Sequence, residues 1–362
     1  MSPIRADGLP AVEGPQAADD PVGPVAAVGS SMRHESGGSD AAAAIGGSTA
    51  SALSATTVSP VGSTGPDSPL IAGPDWELDY YSRPILEPDG KKRWELLICA
   101  TPGPQQSQGE PTEPFRWLRV CSAASVNSIW LKEAIESALV EAHLQGYGQP
   151  RRIRCWRASM RTMVQRAAEG LGLELVPSRR CYGLVEWLQQ RQEQVYPQEP
   201  GYLVGPLAPP PQAIRPVSVP LPEAVRGDRW GWATLPFAAL AEASDWDIGF
   251  AGLTHLPEAV DAAAPVPGIR LFSRSRALAI AGWLAGLEPV RLEIDGGQLI
   301  LEAGLEDRWL LASLSAEEAT AAAAAFAAAR DSAAGLQFIA VQSGDGAERL
   351  DGFWLLRDLP DG

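Results

Sequence analysis

The first 74 residues of this 362-residue chain contain no Trp, Tyr or Phe, which confines the hydrophobic core to the residues that follow. They are rich in Ala, Gly, Ser and Pro and carry seven acidic residues against two Arg. A segment of this composition cannot bury enough apolar surface to offset the entropy lost on ordering. We therefore predict a disordered tail over residues 1–74 and a fold that begins at Asp75. The tail is too acidic for a transit peptide and lacks the apolar block of a secretory signal.

Residues 75–196 are predicted to form an α/β domain. Helical spacing predicts a helix after each of the third, fourth and fifth strands, with Ser125 capping the first helix. The resulting order is β-β-β-α-β-α-β-α, and its helical crossovers require that part of the sheet be parallel. The same order occurs in the ribonuclease H-like fold, which is the topology we expect. The strands are predicted at residues 76–84, 93–100, 115–122, 152–156 and 173–176.

A proline-rich stretch over residues 197–228 separates this domain from a second one, residues 229–362. Proline favours extended backbone and is excluded from central strands, so we expect a linker or an arm running along a surface. In the second domain Ser273 is expected to cap a helix, and Asp295-Gly-Gly predicts a hairpin. Ser315 and Glu318 predict a capping box for an alanine-rich helix. The predicted fold class is therefore α/β, with two mixed-sheet domains after the tail.

Composition excludes several classes of protein. No apolar run approaches the ~20 residues of a membrane-spanning helix. The four Cys lie at 99, 121, 155 and 181 without paired spacing, so we expect buried thiols and neither a disulfide framework nor a zinc site. The chain has three His and no glycine-rich phosphate loop. We accordingly expect no cofactor and no metal, and we expect that the protein is not an enzyme.

The ribonuclease H-like topology makes one enzyme class testable. Such a nuclease needs carboxylates on the first strand, the first helix and the end of the fourth strand to hold two Mg²⁺ ions. Asp79 lies on the first strand, but the fourth strand ends with Cys155, Trp156 and Arg157, where a cation would repel the metal. A metal nuclease therefore stays a minor alternative, and Asp79 is more simply an ion-pair partner of Arg83.

An arginine-rich stretch stands out because the chain as a whole carries a formal charge of -15. Between Arg151 and Cys181 there are eight Arg and two acidic residues. One interpretation is a site for a polyanion such as RNA, and the other is a solvated helix or strand face. The candidate RNA-binding residues are Arg151, Arg152, Arg154, Trp156, Arg157, Arg161, Arg179 and Arg180.

Spacing indicates how these residues would converge. Alternation places Arg152, Arg154 and Trp156 on one face of the fourth strand. Arg157 and Arg161 are four residues apart, as on one face of a helix. The Arg179–Arg180 pair follows the fifth strand, so the carboxyl ends of both strands would present the site, where open parallel sheets bind ligands. The alternative for Trp156 is ordinary packing.

Several segments together resemble a known family. They include WELDYYSRPI, KKRWELLICA, RIRCWRASMRTMVQRA, PSRRCYGLVEWLQQR, WGWATLP, SRSRALAIAGW, LQFIAVQ and a terminal GFWLL. In this order they are similar to the Tab family of chloroplast and cyanobacterial proteins, over residues 76–356.

The resemblance implies an RNA-binding protein that activates translation of photosystem reaction-centre mRNAs, chiefly those of photosystem I. It also implies that a C-terminal Trp-Leu-Leu matters for function, here Trp354, Leu355 and Leu356; physical reasoning alone predicts a buried terminal strand there. The expected partner is the 5′ leader of such an mRNA, with ribosome-associated or assembly proteins as further partners. Because the tail does not look like a transit peptide, we expect the cytoplasm of a cyanobacterial cell, for which the plastid stroma is the plant equivalent.

Two alternatives to an RNA-binding translation factor remain open at this point. The first is a photosystem assembly factor that binds proteins through the proline-rich segment, residues 206–222, and the Trp-Leu-Leu terminus. The second is the metal nuclease. The net acidity argues against broad binding of polyanions and favours a localised RNA site with strong salt dependence.

Overall fold

The fold is seen in a computed structural model that describes residues 75–101, 114–204, 216–344, 346–347 and 349–359. The predicted disordered tail, residues 1–74, lies outside the described residues, and so does the central part of the proline-rich segment, residues 205–215.

The first domain is built on a five-stranded sheet with the order β3-β2-β1-β4-β5. Strand β2 is antiparallel to both of its neighbours, whereas β1, β4 and β5 are mutually parallel. This confirms the predicted β-β-β-α-β-α-β-α order and matches the expected ribonuclease H-like topology. The elements are β1 Trp76–Leu86, β2 Lys92–Ala100, β3 Arg116–Cys121, α1 Ser128–Leu144, β4 Arg152–Cys155, α2 Arg161–Glu169, β5 Glu174–Pro177 and α3 Tyr182–Gln190.

The two faces of this sheet differ in chemistry. One face packs on α1 and α2 through apolar side chains that include Trp76, Leu78 and Ile153, all fully buried. The opposite face is covered by α3 and carries polar residues of β1 as well as apolar ones of β2. Since successive residues of a strand point to opposite faces, the alternation in β1 places Glu77 and Asp79 on the α3 side.

A buried ion-pair network occupies the α3 side. The Arg83 guanidinium lies 2.8 Å from the Asp79 carboxylate and 3.2 Å from that of Glu95, and all three side chains are at most 1% exposed. The Asp79–Arg83 pair is the one that the sequence predicts. Tyr196 donates a hydrogen bond to Glu95 at 2.8 Å, and Arg191 pairs with the same carboxylate at 3.1 Å. The network thereby fixes the segment that follows α3 against β1 and β2.

The second domain holds two further sheets. A five-stranded sheet has the order β7-β9-β13-β14-β8, and a four-stranded sheet has the order β10-β11-β12-β6. Between them lies an apolar core to which α5 and α6 contribute. The elements are β6 Val219–Pro220, β7 Arg229–Pro236, α4 Phe237–Leu240, β8 Ile248–Gly252, β9 Pro265–Phe272, α5 Ala277–Leu287, β10 Pro289–Asp295, β11 Gln298–Ala303, β12 Asp307–Ser313, α6 Ala316–Ser332, β13 Leu336–Gln342 and β14 Leu350–Arg357.

Local signals in the second domain had mixed outcomes. The Asp295-Gly-Gly turn joins β10 to β11, with Gly296 and Gly297 at φ values of 56° and 79° that favour glycine. The capping box of Ser315 and Glu318 is present at the start of α6. The prediction that Ser273 caps α5 is wrong, because that helix begins at Ala277 and the Ser273 hydroxyl instead donates to Asp228.

The cap predicted for α1 is also wrong. Asn127, not Ser125, accepts hydrogen bonds from the Ile129 and Trp130 amides, since the chain makes a short 3₁₀ turn before the helix begins. Strands β8 and β9 were missed altogether. Pro265 and Pro267 argue against a strand in the sequence, because proline is rare in central strands. In the structure β9 nevertheless lies between β7 and β13.

The proline-rich segment is anchored to a domain at each of its ends. Tyr202 forms an isolated bridge with Ile85, and the Leu86 amide donates to the Gly201 carbonyl at 2.8 Å. On the other side, β6 pairs in parallel with β12, Trp309 lying opposite Val219. Both ends therefore run along surfaces, as the prediction of an arm expects.

Replacing Arg83 by Met should lower the free energy of unfolding by about 3–5 kcal/mol, the cost of leaving buried carboxylates without their cation. Urea denaturation of the purified chain measures this. The matched control is Lys92→Met, which removes an exposed cation from the neighbouring strand and should change stability by less than about 0.5 kcal/mol. A loss below about 1 kcal/mol for Arg83→Met would show that the network contributes little.

Candidate nucleic-acid interface

The seven candidate arginines and Trp156 do not form one surface. Arg151 and Arg161 are exposed and make no ion pair with the described part of the chain. The Arg157 and Arg161 side chains do not share a helical face, because α2 begins only at Arg161. The prediction that Arg157 and Arg161 lie on one helix is therefore wrong, although both follow the carboxyl end of β4. RNA binding by any of these residues stays a prediction.

Arg154 is bound inside the protein. Its side chain pairs with Glu288 of the second domain, with Nε to Oε2 at 2.6 Å and Nη2 to Oε1 at 3.1 Å. The same guanidinium lies 3.0 Å from the Asp75 carboxylate, and Arg152 joins Asp75 at 2.7 Å. Arg154 is 5% exposed. Two parallel N–H···O contacts of this kind give geometric specificity as well as energy.

Arg179 and Arg180 also contact the second domain. Arg179 pairs with Glu302 at 2.9 Å, and its backbone amide donates to the Gly304 carbonyl at 2.9 Å. Arg180, 8% exposed, donates to the carbonyls of Pro289 at 2.9 Å and Leu355 at 3.0 Å, and also to that of Gly252. Since a guanidinium presents several donors in a fixed plane, one side chain satisfies three backbone acceptors of three different strands.

The loop of residues 178–181 and the start of α3 thus act as an interdomain peg, by which we mean Arg179, Arg180 and Tyr182. The Tyr182 hydroxyl completes it by donating to the Val290 carbonyl at 2.8 Å. On the same side, Glu186 of α3 pairs with Arg357 and lies 2.9 Å from His255 Nε2. The two domains are joined here by polar contacts, with backbone acceptors as important as charges.

The C-terminal Trp-Leu-Leu lies in β14 beside the interdomain peg. Trp354, Leu355 and Leu356 are 3%, 2% and 0% exposed, which confirms the expectation of a buried terminal strand. A Cβ added at Gly252 would lie 2.3 Å from the Trp354 ring, so this ring requires glycine on the neighbouring strand. The motif also contacts the first domain, because the Leu355 carbonyl accepts a hydrogen bond from Arg180.

A different group of basic and aromatic side chains remains on the surface. Arg157 stacks between two rings, 4.2 Å from the centroid of Tyr81 and 4.3 Å from that of Trp156. Its Nε and the Trp156 indole N–H both donate to Asp79, so the buried carboxylate orients this stack. All three stacked side chains are partly exposed.

Further aromatic contacts extend from this stack along the end of the sheet that is formed by the carboxyl ends of β1, β3 and β4. Tyr81 contacts Trp94, with ring centroids 5.7 Å apart, and Trp94 contacts Tyr80 at 5.5 Å. Tyr80 stacks on Trp130 at 5.5 Å, and Arg119 lies over the Trp130 ring at 5.4 Å. We call these residues, together with the first residue of α2, the aromatic rim: Tyr81, Trp94, Arg119, Trp130, Trp156, Arg157 and Arg161.

The surroundings of Asp79 and the end of β4 do not favour the metal-nuclease alternative. Asp79 is 0% exposed, forms an ion pair with Arg83 and accepts hydrogen bonds from Arg157 and Trp156. Arg157 lies at the end of β4, where a metal nuclease needs a carboxylate. Within the ranges described above, no group of three or more His, Cys, Asp or Glu is arranged to hold a metal ion.

Glu77 is a buried acid between β1 and α3. Burial raises the pKa of Glu77 to about 7, although the Leu184 amide, 2.8 Å away, and the Arg154 charge both act to lower it. Burial likewise raises the pKa of the neighbouring thiols of Cys99 and Cys181, which are fully buried and not in disulfides. These shifts have a structural cause, since none of the three side chains reaches the surface.

Comparison with known proteins identifies the family. The family described as "RNA-binding protein Tab2/Atab2 N terminal" matches residues 75–191, and its partner, "RNA-binding protein Tab2/Atab2, C-terminal domain", matches residues 208–357. The chain belongs to the Tab2/Atab2 family. The family resemblance noted from the sequence is therefore confirmed, and with it membership of a group of RNA-binding proteins.

Two relatives of this family are plant proteins. The chain is 37% identical to "Protein TAB2 homolog, chloroplastic" of Zea mays over 298 residues, which is 79% of this chain and 72% of the relative. It is 35% identical to the Arabidopsis thaliana protein of the same name over 305 residues, 82% of this chain and 77% of the relative. No solved structure matches. No helix in the described part of the chain is long and apolar enough to cross a membrane.

Sequence reasoning missed the acidic partners and most of the aromatic rim. Glu288 lies more than 100 residues from Arg154, and Glu302 lies more than 100 residues from Arg179, and nothing in their local sequence marks them as partners. A signal for the rim did exist, because Trp94 and Tyr81 belong to a hairpin that pairs Trp94 with Ser82. Combining that register with the first turn of α1 would have placed three aromatic residues near Arg157.

A double-mutant cycle tests the interdomain pair. Arg154→Met, Glu288→Gln and the combined variant should show a coupling energy of about 1–3 kcal/mol in urea denaturation, because the partners share two charge-assisted hydrogen bonds. Arg151→Met, which removes an exposed arginine of the same stretch, should leave stability within about 0.5 kcal/mol. Additive effects of the two single changes would mean that the pair does not couple the domains.

The raised pKa of Glu77 predicts a pH dependence of stability. Since the carboxyl ionises at a pH near 4.5 when unfolded but at about 7 when folded, its contribution is fully present below pH 4.5 and is lost as the pH rises towards 7. Glu77→Gln should therefore be more stable than the parent at pH 8, by about 3 kcal/mol at most, and show a flatter profile between pH 5 and 8. Thermal unfolding across this range is the measurement.

The control for this profile is Glu136→Gln, which alters an exposed carboxyl of α1. Its profile should follow that of the parent. If Glu77→Gln instead loses the same stability at pH 5 and pH 8, the Glu77 carboxyl acts as an obligatory hydrogen-bonding group and not as a titrating one.

Proposed function

We propose that this protein supports translation of photosystem reaction-centre mRNAs, chiefly those of photosystem I, by binding their 5′ leaders. The observation that carries the proposal is family membership over both domains, in the same order and over nearly all of the described chain. The family is one of RNA-binding proteins, and the photosystem role is what the sequence resemblance implies. Binding without catalysis is consistent with the ion-paired state of Asp79.

The place of action is proposed to be the compartment in which photosystem subunits are synthesised. Both relatives are called chloroplastic, so the plastid stroma is one such compartment. The cytoplasm of a cyanobacterial cell is the equivalent compartment, since the family that the sequence resembles includes chloroplast and cyanobacterial proteins. Ribosome-associated proteins would be natural further partners.

The assembly-factor alternative receives less support. Of its two predicted contacts, the proline-rich segment and the Trp354–Leu355–Leu356 terminus, the second consists of side chains that are at most 3% exposed. We propose that this motif acts indirectly. It supplies the Leu355 carbonyl to Arg180 and packs the Trp354 ring against Gly252, and it thereby holds the second domain in register with the first.

The proposal predicts preferential binding of a photosystem I 5′ leader. Full-length protein should bind the leader at least tenfold more tightly than a scrambled RNA of equal length. Because the chain is acidic overall, we expect binding to depend on a local cluster of phosphate contacts, and such contacts make affinity fall steeply with salt. Filter binding or fluorescence anisotropy, carried out over roughly 50 to 300 mM salt, measures the affinity for each RNA and its dependence on salt.

Equal affinity for leader and scrambled RNA would remove the transcript preference while leaving general RNA binding. Absence of binding to either RNA at low salt would overturn the proposed function. In that case, capture of ribosome-associated or photosystem proteins from a lysate becomes the next test.

A further inference from the structure

We propose that the aromatic rim, and not the interior part of the arginine-rich stretch, is the RNA site, and that it takes unpaired bases by stacking. This inference rests on the proposed RNA-binding function and names the surface and the form of RNA. We choose the rim because its arginines are accessible. Arg154 and Arg180 are buried and bind acceptors of the protein itself, whereas Arg119 and Arg161 are exposed.

The aromatic side chains of the rim are linked to one another, with the buried Tyr80, 1% exposed, joining Trp130 to Trp94 beneath the surface. From Trp130 the contacts run through Tyr80 and Trp94 to Tyr81, and then through Arg157 to Trp156, so that each ring touches the next ring or guanidinium. The path crosses from the α1 side of the sheet to the α3 side. Single-stranded RNA is recognised in this way, because each base offers a face to an aromatic ring or an arginine plane.

The rim is exposed as well as aromatic. Tyr81, Trp94, Trp130 and Trp156 are all partly exposed, so part of each ring is open to solvent. Next to Trp130, the Ile129 side chain is 71% exposed, an apolar surface at the start of α1. These rings are held by their neighbours, so stacking a base on them costs little additional ordering.

Electrostatics at this edge favour an anion despite the net charge. The rim arginines 119, 157 and 161 lie here, and Lys91 and Lys92 are exposed on the hairpin at the same edge. Asp79 and Glu95 are buried in ion pairs and Glu87 pairs with Arg93, so these three carboxylates are neutralised, whereas Asp89 of the hairpin is exposed. Helices α1 and α2 both begin at this edge without an acidic residue in the first turn, which adds two positive dipole ends.

Base stacking distinguishes unpaired from duplex RNA. In an A-form duplex the base faces are covered by neighbouring pairs, so a duplex would keep the phosphate contacts but lose every contact with the rings. A single strand can make both the phosphate contacts and the contacts between its bases and the rings. The rim should therefore bind the leader more tightly when it is single-stranded than when it is annealed to its complement.

The test uses the full chain and two charge-matched variants. Arg119→Glu/Arg161→Glu alters the rim. Arg166→Glu/Arg274→Glu alters two exposed arginines that lie away from it, one at the far end of α2 and one in the turn before α5. Each variant lowers the net charge by 4, since two arginines become glutamates, so both suffer the same overall repulsion of RNA. Circular dichroism and thermal unfolding verify that each is folded.

The rim variant should bind the single-stranded leader at least tenfold more weakly than the parent, with a salt slope reduced by about one or two units. The control variant should stay within threefold of the parent. The parent itself should prefer the single strand over its duplex at least fivefold. These results together would support the rim as the site.

Other outcomes separate this inference from the proposed function. If the parent binds the leader and the rim variant keeps its affinity, or the control variant loses as much, the rim is not the site although RNA binding stands. Equal or tighter binding of the duplex overturns base stacking. If the parent binds no RNA, the proposed function fails and the inference fails with it.

Discussion

The interdomain peg is the interaction on which the arrangement of this protein depends. A single guanidinium, that of Arg180, donates to carbonyls of β8, β10 and β14, and so ties the first domain to both sheets of the second. Backbone acceptors of this kind cannot be moved without moving their strands, and a buried guanidinium without acceptors is costly. Movement of α3 on the sheet of the first domain would therefore disturb β14 in the five-stranded sheet of the second domain.

Ion pairing around the peg explains an otherwise unfavourable choice of residue. Glu288 follows α5 in the left-handed conformation, at φ 55°, where glycine is the usual choice. A glycine there would relax the backbone but would leave Arg154 without its two-point partner. The chain retains the glutamate, which indicates that the contact between the domains outweighs the local preference. Arginine-rich composition in residues 151–180 is thus in large part a structural requirement.

Sequence reasoning reached the fold class and the topology of the first domain because these follow from local periodicity and from the rules for crossover connections. It also paired Asp79 with Arg83, which lie close together on one strand. It failed where a tertiary partner decided the outcome. The prolines of β9 are tolerated inside the sheet, and the acceptors of Arg154 and Arg180 lie more than 70 residues away along the chain. An excess of positive charge alone could not distinguish a ligand site from an internal clamp.

The central claim is that the arginine-rich stretch has two roles, an inner one between the domains and an outer one at the aromatic rim. Hydrogen exchange of the full chain, with and without a photosystem I leader RNA, tests this most directly. The account predicts that RNA increases protection in the 86–94 hairpin, at the start of α1 and at residues 156–163, while 150–154 and 178–182 are unchanged. Protection confined to residues 150–154 and 178–182, with the rim unaffected, would contradict it.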